Sequence, residues 1–106
     1  MAIQTQLWAG DVRQVMVTGM PGVKSLPCMP NPGCNHLRAS IPNGTFVTFV
    51  RVVNFTADPD GAMWLMYFTD MPQVEVLITP DALRQGWLWK AKRPKALNLL
   101  VRRGRR

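Results

Sequence analysis

The stretch TFVTFVRVVNF, residues 45–55, is a long run of β-branched and aromatic residues. Such residues favour strands, and apolar side chains at both odd and even positions are typical of a strand that is buried on both faces. We therefore predict a long, bent central strand from Thr45 to Phe55. The sequence IPNG immediately before it ends in Asn-Gly, which is a strong turn signal.

Shorter apolar runs on both sides of this stretch predict further strands. AMWLMYF (residues 62–68) and VEVLI (residues 74–78) follow it, and the turn sequences TADPDG and DMPQ come before each of them. QVMVT (residues 14–18) precedes it and ends at GMPG. Three successive strands joined by short turns form an antiparallel meander, so the pattern predicts an all-β domain.

The connections between the strands differ greatly in length. Residues 20–44 contain five prolines and little periodicity, which predicts one long loop. In TPDALRQGW, Thr79 is a candidate cap for a single helical turn, with Pro80 at its first position and Gly86 at its end. ALNLLV (residues 96–101) is either a closing strand or a short helix.

The predicted order is strand, long loop, three-strand meander, helical turn and strand. This order resembles the SH3-like small β-barrel, with residues 20–44 in the place of its long first loop and PDALRQ in the place of the short 3₁₀ turn before its last strand. The resemblance covers roughly residues 12–101 and is one of topology only. It implies a single small antiparallel barrel over residues 1–101, followed by a basic C-terminal tail at residues 102–106.

Positive charge is concentrated at the C-terminal end. Residues 82–106 have nine basic residues and no acidic residue, whereas residues 1–81 have four basic and six acidic residues. The net charge of +7 is therefore a local feature. Solvated basic tails are common, but a segment this basic also indicates a polyanionic partner.

The composition of this segment favours RNA or DNA as that partner. Arginine matches phosphate with two hydrogen bonds, and aromatic rings beside cations stack on unpaired bases. We expect Trp64 to lie in the core, and Trp87 and Trp89 either to pack there or to contact a ligand. The candidate nucleic-acid-binding residues are Arg84, Trp87, Trp89, Lys90, Lys92, Arg93, Lys95, Arg102, Arg103, Arg105 and Arg106.

The sequence CMPNPGCNH, residues 28–36, brings two cysteines and a histidine close together. Five residues separate Cys28 from Cys34, whereas zinc-binding cysteines are typically about two to four residues apart, and the chain has only one histidine. Free thiols, a disulfide and metal ligation all remain open. We expect no cofactor and assign no metal ligand.

Motifs of catalysis are missing from the sequence. His36 is two residues from Cys34, but no acidic residue is placed to orient it as a base, and Asp58 and Asp60 lie in DPDG, a common turn sequence. We therefore expect a protein that is not an enzyme. The sequence shows no secretory signal and no apolar run of about 18 residues, which predicts a cytoplasmic protein that does not enter a membrane.

Two classes of function fit these observations. The first is a nucleic-acid-binding module that holds RNA or DNA mainly through phosphates. The second is a structural or interaction subunit of a homo-oligomer or of a nucleoprotein assembly of ribosome-like or viral type, in which the basic segment meets an acidic protein surface. An inhibitor that binds another protein is a variant of the second class.

Overall fold

The computed structural model of the protein describes residues 7–54 and 61–91. These residues form eight strands and one helix of a single turn. The elements are β1 (Val12–Val15), β2 (Ser25–Pro27), β3 (Met29–Pro30), β4 (Ser40–Pro42), β5 (Phe46–Asn54), β6 (Ala62–Phe68), β7 (Met71–Ile78), α1 (Asp81–Arg84) and β8 (Leu88–Lys90).

Six of the strands form one antiparallel sheet in the order β3-β7-β6-β5-β1-β8, and β2 and β4 pair separately. The prediction of an all-β fold built on an antiparallel meander is confirmed by the pairing of β5 with β6 and of β6 with β7. Over the residues described, the sheet is open, with β3 and β8 as its two edges. Closure into a barrel is therefore not shown.

The predicted central strand is β5, and it bends as expected. The register of its pairing with β6 shifts between Phe49 and Arg51, which marks a β-bulge. Before the bulge Val47, Thr48 and Phe49 are all buried, whereas Arg51 beyond it is exposed. Burial on both faces was thus predicted correctly only for the first half, because a bulge increases the local twist and turns the end of the strand away from the core.

The predicted bounds hold best in the middle of the sheet. β6 spans the predicted residues, but β7 begins at Met71, so most of the predicted turn DMPQ belongs to a strand. β1 begins two residues before the start of the predicted strand and ends three residues before its end. The prediction of Thr79 as a helix cap is wrong, because Pro80 occupies the cap position of α1 and no side chain caps the helix.

The long connection of residues 20–44 is not a loop without strands, and this prediction is also wrong. β2 and β4 pair within it, and Leu26 and Ile41 are buried opposite each other. β3 extends the large sheet by pairing with β7. Each of these strands has two or three residues and contains proline, which fits short strands at sheet edges.

The main hydrophobic cluster lies on one face of the sheet, which we call the inner face, although Leu65 and Leu77 on the other face are also buried. Phe49 and Trp64 meet edge to face on the inner face, with ring centroids 6.0 Å apart, so the core position predicted for Trp64 is confirmed. Ala82 and Leu83 of α1 and Leu88 of β8 pack against the same core. The inner-face residues of the three central strands are Val47, Phe49, Trp64, Met66, Phe68, Val74, Val76 and Ile78.

Several predicted features fall outside the described residues. They are the turn at residues 56–61 apart from Gly61, the closing strand or helix at residues 96–101, and the tail at residues 102–106. In the described part, the strand that pairs with β1 after α1 is β8. No helix in this part of the chain is long and apolar enough to cross a membrane.

Candidate nucleic-acid interface

The structure describes four of the candidate binding residues, and all four lie at or next to α1 and β8. These are Arg84, Trp87, Trp89 and Lys90. The other candidates lie outside the described residues and are Lys92, Arg93, Lys95, Arg102, Arg103, Arg105 and Arg106. The described part of the site is therefore the N-terminal part of the basic segment, residues 84–90.

Arg84 is exposed at the end of α1. Its Nε lies 3.4 Å from Oδ1 of Asp81, and both side chains are more than half exposed. Exposed ion pairs of this kind contribute about 1 kcal/mol or less to stability. Arg84 therefore remains accessible to a phosphate.

Trp87 and Trp89 have different surroundings. Trp87 is partly buried against the core, and its Nε1 donates a hydrogen bond to the backbone oxygen of Thr18 at 3.0 Å. Trp89 is 46% exposed, and its Nε1 donates to the backbone oxygen of Gly86 at 3.0 Å. Of the two rings, only that of Trp89 offers a large exposed surface.

Trp89 belongs to a row of side chains that crosses three strands on the outer face of the sheet. Gln14 of β1 lies opposite Trp89 on one side and opposite Phe46 of β5 on the other. Because adjacent strands are about 4.8 Å apart, the backbones at Trp89 and Phe46 are about 10 Å apart. The row places an amide between two aromatic side chains, and we call it the outer row.

Sequence reasoning did not identify Gln14 or Phe46 as part of the site. Both lie in runs that predicted strands, but their position beside Trp89 depends on the register of strands that are far apart in the sequence. No local signal carries that information. Only the pairing of β1 with both neighbours brings the three side chains together.

Lys90 lies on the inner face, next to a cavity of about 440 Å³ at the end of the sheet. Its partner across the strands is Arg13 of β1. Trp8 and Asp11 contribute to the lining on the other side. We call this cavity the end groove; of the residues that line it, only Lys90 was predicted from the sequence.

The turn that precedes β1 shapes the end groove. The backbone N–H of Trp8 donates to Oδ2 of Asp11 at 2.9 Å, and the N–H of Asp11 donates to the oxygen of Trp8 at 2.9 Å. The N–H of Gly10 donates to the oxygen of Phe49 at 2.9 Å, which ties the turn to β5. Gly10 has a φ of 91°, which favours glycine.

The cysteines are both free thiols, so the alternative of a disulfide is not realised. The thiol of Cys28 donates to the backbone oxygen of Arg38 at 3.4 Å, and that of Cys34 to the oxygen of Gln73 at 3.3 Å. Burial raises the pKa of Cys28 to about 11, against the opposing effect of the Arg38 guanidinium. Within residues 7–54 and 61–91, no group of three or more Cys, His, Asp or Glu side chains is arranged to hold a metal ion.

No protein-family model, curated protein or solved structure matches this chain. The described part of the site offers cations for phosphates, at Arg84 and Lys90, and aromatic surface for bases, at Trp89.

Proposed function

We propose that the protein is a non-enzymatic nucleic-acid-binding module that holds RNA or DNA mainly through phosphates, using the segment from Arg84 to Arg106. The observation that carries this proposal is the exposure of both Trp89 and Lys90 on β8, immediately before the most basic part of the chain. Trp64 and Trp87 pack in or against the core, whereas the side chains of Trp89 and Lys90 remain accessible.

The distribution of charge supports the proposal. The described residues include six basic and four acidic residues, whereas residues 92–106 include seven basic residues and no acidic one. A polyanion is therefore attracted to the C-terminal part of the chain rather than evenly to all of it. Contacts of Lys and Arg with phosphates depend little on base sequence, so we expect weak sequence preference.

The outer row favours single strands over duplexes. Bases that are not paired can stack on the exposed ring of Trp89. Nε2 of the neighbouring Gln14 donates to the backbone oxygen of Gly44 at 3.3 Å, and its Oε1 can accept a hydrogen bond from a base edge. Duplex bases are already stacked and cannot use such a surface. The partner proposed is thus single-stranded RNA or DNA in the cytoplasm, with no requirement for a cofactor.

We also propose that the fold is an SH3-like barrel. The order of the elements supports it, since a long first connection is followed by the β5–β7 meander, the single turn α1 and the short strand β8. The pairing of β8 with β1 brings the two ends of the described chain together. An experimental structure in which β3 and β8 stay far apart, with no strand between them, would argue for an open sheet.

A salt titration of oligonucleotide binding tests the nucleic-acid proposal. The full chain and a chain ending at Val101 would be compared on single-stranded and duplex oligonucleotides. Each neutralised phosphate contributes a slope of about −0.7 on single strands and −0.9 on duplexes to a log–log plot of affinity against salt. Because the shorter chain lacks four arginines, we expect its slope on single strands to be shallower by up to about 3.

The Arg51→Gln variant is the matched control, because Arg51 is an exposed cation on the far part of β5. Its slope should equal that of the unchanged protein. Equal slopes for the full and the shortened chain would show that the tail does not hold phosphates. Absence of binding to both kinds of oligonucleotide at moderate salt would refute the proposed function.

The second candidate is a structural or interaction subunit, or an inhibitor of another protein, with an acidic protein surface as its partner. The observation that favours it is the two-residue edge strand β3, where Met29 is 53% exposed and its backbone lies at the rim of the sheet. Edge strands and exposed methionines suit protein contacts. Self-association in buffer without nucleic acid, measured by sedimentation, would favour this candidate.

A further inference from the structure

We infer that the end groove is a nucleotide-binding site, in which Arg13 and Lys90 hold a phosphate and Trp8 contacts the base. The ligand class is a phosphate ester that carries an aromatic ring. This inference rests on the proposed function only where it treats the nucleotide as one unit of a bound strand. Of the three side chains that form the site, only Lys90 belongs to the basic segment.

Two cations face the groove from adjacent strands. Arg13 and Lys90 are direct partners in the antiparallel pairing of β1 with β8, so their side chains leave the same face of the sheet. The backbones of such partners are about 4.5–5.5 Å apart. Lys90 is exposed, and both residues line the groove.

Like charges directly opposite each other on two strands are destabilising. The side chain of Arg13 is only 10% exposed, so its charge is poorly screened by water. The nearest carboxylate in the described residues is that of Asp11, 4.0 Å from the guanidinium, which is at the limit of an ion pair. A bound anion would relieve the repulsion, and phosphate suits arginine because it accepts two parallel hydrogen bonds.

The remaining wall provides an aromatic surface at a fixed place. Trp8 is 61% exposed although its backbone is held on both sides by hydrogen bonds with Asp11. A rigid turn that presents an exposed ring costs little entropy on binding. The groove is an open depression of about 440 Å³ and not an enclosed cavity, so it can admit a nucleotide that remains partly exposed to solvent.

Calorimetric titration with adenosine 5′-monophosphate, adenosine and inorganic phosphate tests this inference on the full chain. We expect the monophosphate to bind more tightly than either of its two parts, because only it uses both walls of the groove. Lys90→Gln should weaken its binding about tenfold or more, the usual effect of losing a charged hydrogen-bond partner. Trp8→Leu should remove most of the advantage of the monophosphate over inorganic phosphate.

A matched variant separates the groove from general charge. Arg51→Gln removes an exposed cation elsewhere and should not change the affinity for the monophosphate. Trp89→Leu removes the other exposed ring, and a loss of monophosphate affinity as large as in Trp8→Leu would place the base on the outer row and overturn the inference. Absence of binding at millimolar concentration, or equal losses in Lys90→Gln and Arg51→Gln, would overturn the inference.

Competition distinguishes a free nucleotide from a unit of a strand, and it separates this inference from the proposed function. If adenosine 5′-monophosphate displaces a single-stranded oligonucleotide, the groove holds one unit of the strand. If it binds at the groove while oligonucleotides do not bind, the nucleotide site stands and the nucleic-acid proposal fails. Binding of the monophosphate that disappears in the chain ending at Val101 would assign it to the tail and overturn the groove site.

Discussion

Trp87 and Trp89 are two residues apart, yet the fold gives them different roles. The Nε1 of Trp87 reaches back to Thr18 and its ring packs against the core, whereas Trp89 stands on β8 with almost half of its surface exposed. Leu88 between them points into the core. Composition alone left packing and ligand contact open for both, and the surroundings of each ring make Trp89 the better candidate for contact with bases.

Cys28 is the other residue whose surroundings determine its chemistry. Burial disfavours the charged thiolate and raises the pKa of Cys28 to about 11, although the nearby Arg38 guanidinium acts in the opposite direction. The thiolate is the reactive form of cysteine. Cys28 is therefore a weak nucleophile at neutral pH.

We predict that Cys28 is alkylated slowly below pH 11. In a Cys34→Ser variant, the rate of reaction with iodoacetamide at pH 8 should be on the order of 100-fold lower than that of free cysteine, because the pKa lies above the ordinary value of 9.0. The rate should rise as the pH approaches 11. A Cys28→Ser variant reports Cys34 separately, and a rate for Cys28 equal to that of free cysteine would contradict the prediction.

At the scale of elements, the side chain of Asn43 joins the two ends of the connection from β1 to β5, in addition to backbone hydrogen bonds of Val15 with Gly44 and Thr45. The backbone N–H of Val17 donates to Oδ1 of Asn43 at 2.9 Å, and Nδ2 of Asn43 donates to the oxygen of Val17 at 3.4 Å. The side chain thus acts as a further partner for the chain just after β1. The Asn-Gly pair predicted only a turn here, and this long-range role of Asn43 was not visible.

We predict that Asn43→Ala lowers the free energy of unfolding by about 1–2 kcal/mol, because it leaves both polar groups of Val17 without this partner. Asn43→Asp keeps the acceptor and loses the donor, so its effect should be smaller. Urea unfolding measures both. Asn35→Ala, at an exposed position of the same connection, is the control, and a loss at Asn43 no larger than at Asn35 would show that the contact is dispensable.

At the scale of the whole molecule, the charged tail and the sheet are separate parts of the sequence. The last described strand, β8, ends at Lys90, and residues 102–106 contain only arginine and glycine. Arginine and glycine bury little apolar surface, which is the main source of folding stability. Stability and polyanion binding should therefore respond differently to loss of the tail.

We predict that the chain ending at Val101 keeps the far-ultraviolet circular dichroism of the full chain and unfolds in urea within about 0.5 kcal/mol of it, as is usual for surface changes. Binding to oligonucleotides should nevertheless weaken. A large loss of stability would show that the last residues pack on the domain. That result would also mean that weaker binding by the shorter chain is not a measure of phosphate contacts.

The middle of the sheet was the part that local patterns predicted best. The run AMWLMYF, with three aromatic residues, marks β6 to the residue, and β5 follows from TFVTFVRVVN, which is dense in β-branched and aromatic residues. Residues of both kinds favour strands. The prediction of a loop for residues 20–44 was wrong. Prolines usually mark loops, but here the burial of Leu26 and Ile41 accompanies the pairing of the short strands β2 and β4. Tertiary packing there outweighs local propensity.

The sequence by itself determined the all-β class, the core position of Trp64 and the concentration of basic residues after Ala82, because these depend on composition and on periodicity within short segments. Only the tertiary structure decided that Lys90 faces Arg13 and that Trp89 stands beside Gln14. Strand register depends on which surfaces pack together across long separations in the chain, and no local pattern encodes it. The outer row and the pairing of Arg13 with Lys90 in the end groove both arise from that register.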